Sequence, residues 1–270
     1  VATHDMLAEG VHFTPDCPAA DIGWKLVAVN LSDLAAMGAR PVAVLMGAGI
    51  GPCRDEAWAS ALLAGVAHAL ERFGVPLIGG DTIRTGANDV LALTAIGSVP
   101  AGQALGRMGG RAGDELWVSG TIGDAGLGLA IAMGCAPADA WLLKRYRRPT
   151  PRLALGLALR GVASAAMDVS DGLLIDAARL AAASGLAASL ESAAVPLSDA
   201  ARASGAEVRA LMAMGDDYEL LFAASPDRRD AVLEAAAIAR TPVTSIGALG
   251  AGEGLFLDGS RTVPEGWQHR

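Results

Sequence analysis

The sequence predicts two α/β domains in which helices are layered on sheets, and three observations carry that prediction. Apolar runs of strand length alternate with segments of helical period along the whole chain. A Gly-rich stretch carrying Arg107 and Arg111, residues 102–113, separates two such sets, which places the domains at 1–105 and 106–270. No fixed-period repeat is visible, so a solenoid is excluded.

Residues 1–5 read as a short extended segment. Glu9-Gly10-Val11-His12-Phe13 and the loop around Pro15 and Pro18 follow. A helix begins near Pro18 and runs to Met37: Leu26, Val27, Asn30, Leu34 and Met37 recur at helical spacing, Gly38 is a stop signal and Pro41 follows. Residues 41–46 form a buried strand, and Gly47, Gly49, Gly51 and Pro52 make a loop. Residues 55–73 form an amphipathic helix with Trp58, Leu62, Val66, Ala69 and Phe73 on one face. A strand over 75–78 ends at Gly79-Gly80-Asp81-Thr82, and another over 90–99 closes at Pro100.

Past the junction, 115–119 is a strand and 123–133 a helix opened by Gly123, with Asp124 as its cap. Helices follow over 141–146 and 152–163. A short strand, 165–168, ends at Ser170-Asp171-Gly172, and a helix covers 173–184. After Gly215-Asp216-Asp217 come a strand over 218–223, a helix over 226–239, a strand over 243–246 and a Gly-rich tail.

Composition narrows the function. The net charge is −8, which argues against a nucleic-acid surface. Hydrophobic content is 52%, yet Gly and charges break every apolar run well short of the ~20 residues that span a bilayer. Neither a basic n-region nor a cleavage site is present, so a cytoplasmic location is expected. Cys17, Cys53 and Cys135 are isolated, as in a reducing compartment, and offer no zinc motif. Only two lysines occur, Lys25 and Lys144. A phosphate-handling chain of this kind cannot rely on lysine clusters, and bound cations would offset its excess of carboxylates. The chain starts at Val1, already in a strand, and a preceding segment is expected.

Asp5, Asp33, Asp81, Asp168, Asp171, Asp216 and Asp217 share one kind of setting, after an apolar strand or inside an apolar helix, beside Gly or Ser. Asp33 is three residues after Asn30, on the same side of a helix and within an apolar turn. A carboxylate there must be exposed, paired or bound to a metal. Any one of these acids fits a turn or cap; seven together fit carboxylates around hard cations with oxygen ligands. Common nucleotide motifs are missing: GxxxxGK[ST], GxGxxG between strand and helix, and the kinase Asp loop with DFG. The GxSxG elbow is missing as well.

Six motifs, in order along nearly the whole chain, carry a resemblance. They are Asp5-Met6-Leu7-Ala8-Glu9-Gly10-Val11-His12-Phe13, the segment Asn30 to Pro41, Gly79-Gly80-Asp81-Thr82, Arg107 with Gly113-Asp114, Asp168-Val169-Ser170-Asp171-Gly172-Leu173, and Gly215-Asp216-Asp217-Tyr218-Glu219-Leu220. Gly266-Trp267-Gln268-His269 ends the series. The chain resembles the thiamine-monophosphate kinases, in the superfamily of aminoimidazole ribonucleotide synthetase, selenophosphate synthetase and a hydrogenase-maturation protein. The Gly-Gly-Asp-Thr motif points only to the superfamily, whereas the Glu-Gly-Val-His-Phe segment and the ending select the kinase. Selenophosphate synthetase is disfavoured because no reactive Cys or Lys precedes the first acidic motif.

The resemblance implies a two-domain aminoimidazole ribonucleotide synthetase-like fold. In it the N-terminal sheets pair in a homodimer and ATP lies along a cleft between domains. It implies ATP-dependent, in-line phosphorylation of thiamine monophosphate to the diphosphate, assisted by several Mg2+ ions. It also implies Mg2+ ligands at Asp5, Asp33, Asp81, Asp168 and Asp171, with Thr3 and His4 at the first site. ATP contacts fall at Gly80, Asp81, Arg107 and Ser170, and thiamine-phosphate contacts at His12, Asp216 and Trp267. No side-chain nucleophile or base is implied. On residues alone, His12 fits a packed loop histidine equally well, Trp267 fits a core plug better than a ligand contact, and Arg107 also fits a junction salt bridge. Two departures stand out: His4 where Thr is common, and Asp216 where the family has Glu. The family also carries a Gly-Asp-Asp segment upstream of Asp5. The alternatives are another ATP-dependent enzyme of the superfamily, such as an aminoimidazole ribonucleotide synthetase-like ligase, and a catalytically impaired binding homologue.

Overall fold

A computed structural model describes residues 1–268; His269 of the Gly-Trp-x-His ending lies outside the described residues. The first half contains β1 (Ala2–Ala8), α1 (Ala19–Ala36), β2 (Arg40–Ile50), α2 (Glu56–Phe73), β3 (Leu77–Arg84) and β4 (Val90–Ser98). Its four-stranded sheet runs β1-β4-β2-β3. β4 is antiparallel to both β1 and β2, while β3 lies parallel to β2. α2 begins at Asp55, whose carboxylate accepts the Trp58 N–H at 2.8 Å, and stops at Gly74 in the left-handed conformation.

α1 occupies the centre of the molecule. On one side it packs against α2 at backbone contact: a Cβ at Gly65 would lie 2.0 Å from the Ala20 carbonyl, and one at Gly23 2.3 Å from that of Leu62. On the other side it meets α5 (Leu153–Ala158), where a Cβ at Gly156 would lie 1.9 Å from the Ala35 carbonyl. Small residues therefore let one helix be covered on several faces, which explains why most of its turns are apolar.

The second half adds β5 (Glu115–Ser119), α3 (Asp124–Ala132), α4 (Ala140–Arg147), β6 (Ala165–Asp168), α6 (Leu173–Ala183) and β7 (Ala187–Leu190). It continues with α7 (Asp199–Ala203), α8 (Val208–Met212), β8 (Leu220–Ala224), α9 (Arg229–Ala239), β9 (Val243–Gly250), β10 (Gly254–Leu257) and β11 (Ser260–Thr262). The strands form a seven-stranded sheet, β11-β10-β7-β9-β5-β8-β6. Side-chain alternation divides its central strands between two cores. Leu116, Val118, Leu221 and Ala223 pack with α6, and Trp117, Leu220, Phe222 and Ala224 pack with α5, α9 and the end of α1. Coverage of both faces accounts for the uninterrupted apolar run of β8.

Several elements differ from expectation. β2 runs on through Gly47 and Gly49 to Ile50, and β3 runs through Gly79-Gly80-Asp81-Thr82 to Arg84, so neither glycine set ends its strand. These strands pair with each other, and the lack of side chains permits it: a Cβ at Gly80 would lie 2.0 Å from the Met46 carbonyl. The helix expected over 152–163 is confined to α5. The Gly-rich tail contains the β10–β11 hairpin, and β7 was not anticipated. Strand β8 begins at Leu220, because Asp216 and Tyr218 take positive φ of 71° and 49° and hold the chain in a turn. Asp124 does not cap α3. Its carboxylate accepts from Thr121, Trp141 and Ser198 instead, while Asp217 accepts the N–H groups of Gly123 (2.6 Å) and Ala125 (3.1 Å).

Candidate active site

β1 is buried on alternate residues, so Thr3, Asp5 and Leu7 face inward while His4 and Met6 are more exposed. Asp5 is fixed through its N–H, which donates to Asn30 Oδ1 at 2.9 Å; Asn30 is in turn anchored to the Leu26 carbonyl one turn back. Asp33, one helical turn after Asn30, then lies beside the same strand, and the Thr3 hydroxyl donates to its carboxylate. Asp168 arrives from the other half, at the last position of β6, which packs against α1.

Burial disturbs all three acids, and repulsion from neighbouring carboxylates adds to it at Asp5 and Asp168. Asp5 is pushed up to about 6, chiefly by burial and then by Asp33. Asp33 is raised by burial, opposed by the Thr3 hydrogen bond and by Arg107. Asp168 is raised by burial and by Asp33, with Asp176 and Asp5 adding to it. The ordinary value is 3.8, so these groups resist ionisation.

Next to Asp168, the loop of Ser170 and Asp171 is tied down by Asp176, whose Oδ2 accepts both N–H groups at 3.0 Å. Arg179 pairs with Asp171 and, at 2.8 Å, with Asp176. The Trp267 N–H reaches the Asp171 carbonyl at 2.8 Å. Gly266 permits that approach, since a Cβ there would lie 2.3 Å from Ile175. The Asp216 N–H donates to the Ser170 carbonyl at 2.8 Å.

These pieces surround one cavity of about 650 Å3. Asp5, Asp33, Arg107, Asp168, Ser170 and Asp171 line it, and so do His12, Asp216 and Trp267. Thr3 lines a smaller adjoining recess together with Asp33, Arg107 and Asp168. Four expected residues, His4, Gly80, Asp81 and Asp217, are not brought to the cavity. His4 is on the more exposed side of β1, with Nδ1 2.8 Å from the Thr94 hydroxyl. Gly80 and Asp81 are on β3, at the opposite edge of the sheet from β1, three strand spacings or roughly 14 Å away. Asp217 is buried under α3, its carboxyl pushed up to about 7 mainly by burial.

Sequence reasoning missed Lys25, Asp176 and Asn30 as parts of the site's frame, and the wall of Leu129, Met133 and Met214 as part of its lining. A signal existed for Lys25, one of two lysines, set in an apolar stretch of helix.

Among the described residues, no three His, Cys, Asp or Glu side chains are close enough to enclose one ion. Asp5, Asp33 and Asp168 nevertheless fit Mg2+. That ion takes one or two carboxylates and completes its shell with water and phosphate oxygens rather than with a cage of side chains.

The comparisons agree with this architecture. The N-terminal domain of AIR synthase related proteins matches residues 1–99, and their C-terminal domain matches 111–259. A thiamine-monophosphate kinase from Salmonella typhimurium is 40% identical, covering 98% of this chain and 83% of its own. One from Caulobacter vibrioides is 39% identical, covering 100% and 80%. The chain belongs to the thiamine-monophosphate kinase family. The crystal structure of the Stenotrophomonas maltophilia thiamine-monophosphate kinase superposes with a TM-score of 0.89 at 44% identity, covering 97% of this chain and 86% of that one. AaThiL complexed with AMPPCP and TMP gives 0.90 at 31% identity, covering 100% and 86%. Hydrogenase maturation protein HypE, 20% identical with a TM-score of 0.81, shares the fold.

Proposed function

We propose that this chain is a thiamine-monophosphate kinase that moves the γ-phosphoryl group of ATP onto the phosphate of thiamine monophosphate. One observation carries the reading: a single cavity joins Asp5, Asp33, Asp168 and Arg107 to His12, Asp216 and Trp267. An ionised oxygen of the acceptor phosphate attacks the γ-phosphorus in line, the bond to the bridging oxygen of ADP breaks, and ADP leaves. That oxygen carries its charge at neutral pH, so the reaction needs no side-chain base. Several Mg2+ ions, held by Asp5, Asp33, Asp168 and Asp171 with Thr3 at the edge, would supply the charge neutralisation that lets two anions meet. Arg107 offers a two-pronged contact to a phosphate, and Ser170, on the loop fixed by Asp176, offers the same cavity a hydroxyl. Trp267 presents an aromatic face suited to a cationic thiazolium.

The proposal takes 1–105 as the metal, nucleotide and dimerisation domain, 106–270 as its partner, and a cytoplasmic homodimer as the working form. β3 is exposed along its whole length, with Leu77 at 46%, Ile78 at 59% and Ile83 at 59%, as an edge awaiting a second sheet would be. Gly80 and Asp81 are on that edge, so pairing of two copies is the route by which they would join a cavity. Among the described residues, no helix is long and apolar enough to cross a membrane.

Incubating the protein with ATP, MgCl2 and thiamine monophosphate, and resolving products by phosphorus NMR, tests the reading. Thiamine diphosphate and ADP in equal amounts are expected. Binding of both substrates without turnover would instead identify an impaired homologue.

A further inference from the structure

Lys25 is 2% exposed in the middle of α1. A lysine is almost never buried without partners, and here they are specific. Its ammonium lies 2.9 Å from Asp216 Oδ2, donates to the His12 carbonyl at 3.1 Å, and stands 4.2 Å from the centre of the Tyr146 ring. The two residues it grips both line the cavity, whereas Lys25 does not. They come from different halves of the chain.

Each partner is held a second time. The Tyr146 hydroxyl reaches the His12 carbonyl at 3.4 Å, and the Tyr218 hydroxyl reaches Asp216 Oδ1 at 3.2 Å. The Ala8 N–H donates to His12 Nδ1 at 3.0 Å, so in the neutral ring Nε2 carries the proton. Asp216 itself sits at φ 71°, a conformation that asparagine and aspartate tolerate best and that needs outside contacts to persist.

We propose that Lys25 is a positioning residue for the acceptor half of the cavity: it fixes His12 and Asp216 relative to each other and balances the Asp216 charge from behind. The acceptor end is then close to neutral rather than anionic. An acceptor carrying both a phosphate and a cationic ring can enter it without repulsion of its phosphate. This inference rests on the proposed kinase reading for the identity of the acceptor, though not for the geometry.

Two measurements on Lys25→Met and Lys25→Arg test it. In steady-state kinetics, Lys25→Met should raise KM for thiamine monophosphate about tenfold, leave KM for ATP within about twofold, and lose less in kcat than in kcat/KM. Lys25→Arg should recover part of the loss. Equal changes in both KM values, or none, would overturn the proposal. Hydrogen exchange read without substrate separates it from the kinase reading. The Ala8 amide, bound to His12, should exchange faster in Lys25→Met while amides of β5 keep their protection. If the wild type fails to phosphorylate thiamine monophosphate, the kinase reading falls and the Ala8 result decides the role of Lys25. Unchanged Ala8 exchange, or loss of protection throughout, would refute that role.

Discussion

Around Arg145 and Arg152, the acids Asp124, Asp217 and Glu219 are buried with counter-charges beside them, whereas Asp5, Asp33 and Asp168 face one another around a cavity. Arg145 lies 2.9 Å from Glu219 and 3.6 Å from Asp124, and Arg152 donates to Glu219 at 2.6 Å. In the first group every carboxylate has a guanidinium or a backbone N–H within reach. In the second, Arg107 favours the ionised Asp33 carboxylate, and burial outweighs it. Paired acids of the first kind hold α3, α4 and β8 together. Asp5 of the second kind, like Asp217 of the first, lowers the folded chain's stability once ionised; what sets the second kind apart is that they line a cavity.

The contrast is broken most severely at Asp33. Asp33→Asn keeps shape and the contact with Thr3 but removes the charge. Turnover should fall by roughly three orders of magnitude or more, as for removal of a transition-state electrostatic group. Thermal unfolding without metal should occur at the same or a higher temperature. Near wild-type turnover would remove Asp33 from the metal ligands. The paired cluster should respond in the opposite way. Arg145→Met strands Glu219 and Asp124 without one partner, so urea unfolding should show a loss of about 3–5 kcal/mol. A stability unchanged within error would mean that Arg152 and the backbone suffice.

Much of this arrangement was legible in the sequence. The apolar periodicity of α1, the amphipathic face of α2 and the all-apolar β8 follow from local patterning. Asp33 was conspicuous because an acid in an apolar turn requires a partner. Other features depend on distant contacts and were hidden. Whether Asp217 would join the cavity or cap α3 is decided by a fold that brings residues 94 apart in sequence to within 2.6 Å. Gly80 looked like a strand end, yet its requirement comes from the Met46 carbonyl on a neighbouring strand. Successive residues of a strand point to opposite faces, so only the strand's burial separates Asp5 from its neighbour His4.

Titration sharpens the comparison further. For Asp5 the folded value, about 6, is above the ordinary 3.8, so the folded chain holds the proton more tightly than the unfolded one. Stability is therefore greatest below pH 4 as far as this group is concerned. It falls as pH rises toward 6, by up to roughly 1.4 kcal/mol per pH unit. Asp217, raised to about 7, has the same sign and extends the decline by another unit. Calorimetry from pH 4 to 8 with and without MgCl2 should show that the metal flattens the lower part of the decline and leaves the Asp217 part in place. In Asp217→Asn the upper part should disappear. A metal that flattened both parts equally would contradict the division between the two groups of acids.

The smallest effect is expected at His12, which belongs to neither group of acids. Its ring is oriented by the Ala8 N–H and its carbonyl is gripped from behind by Lys25, so its side chain contributes to the cavity through a single imidazole edge. His12→Ala removes that edge and leaves the carboxylates in place. KM for thiamine monophosphate should rise about tenfold, equivalent to one lost hydrogen bond to a charged group, while KM for ATP stays the same. An effect confined to ATP would place His12 among the nucleotide contacts, and the cavity would then have to be read with its two substrates exchanged.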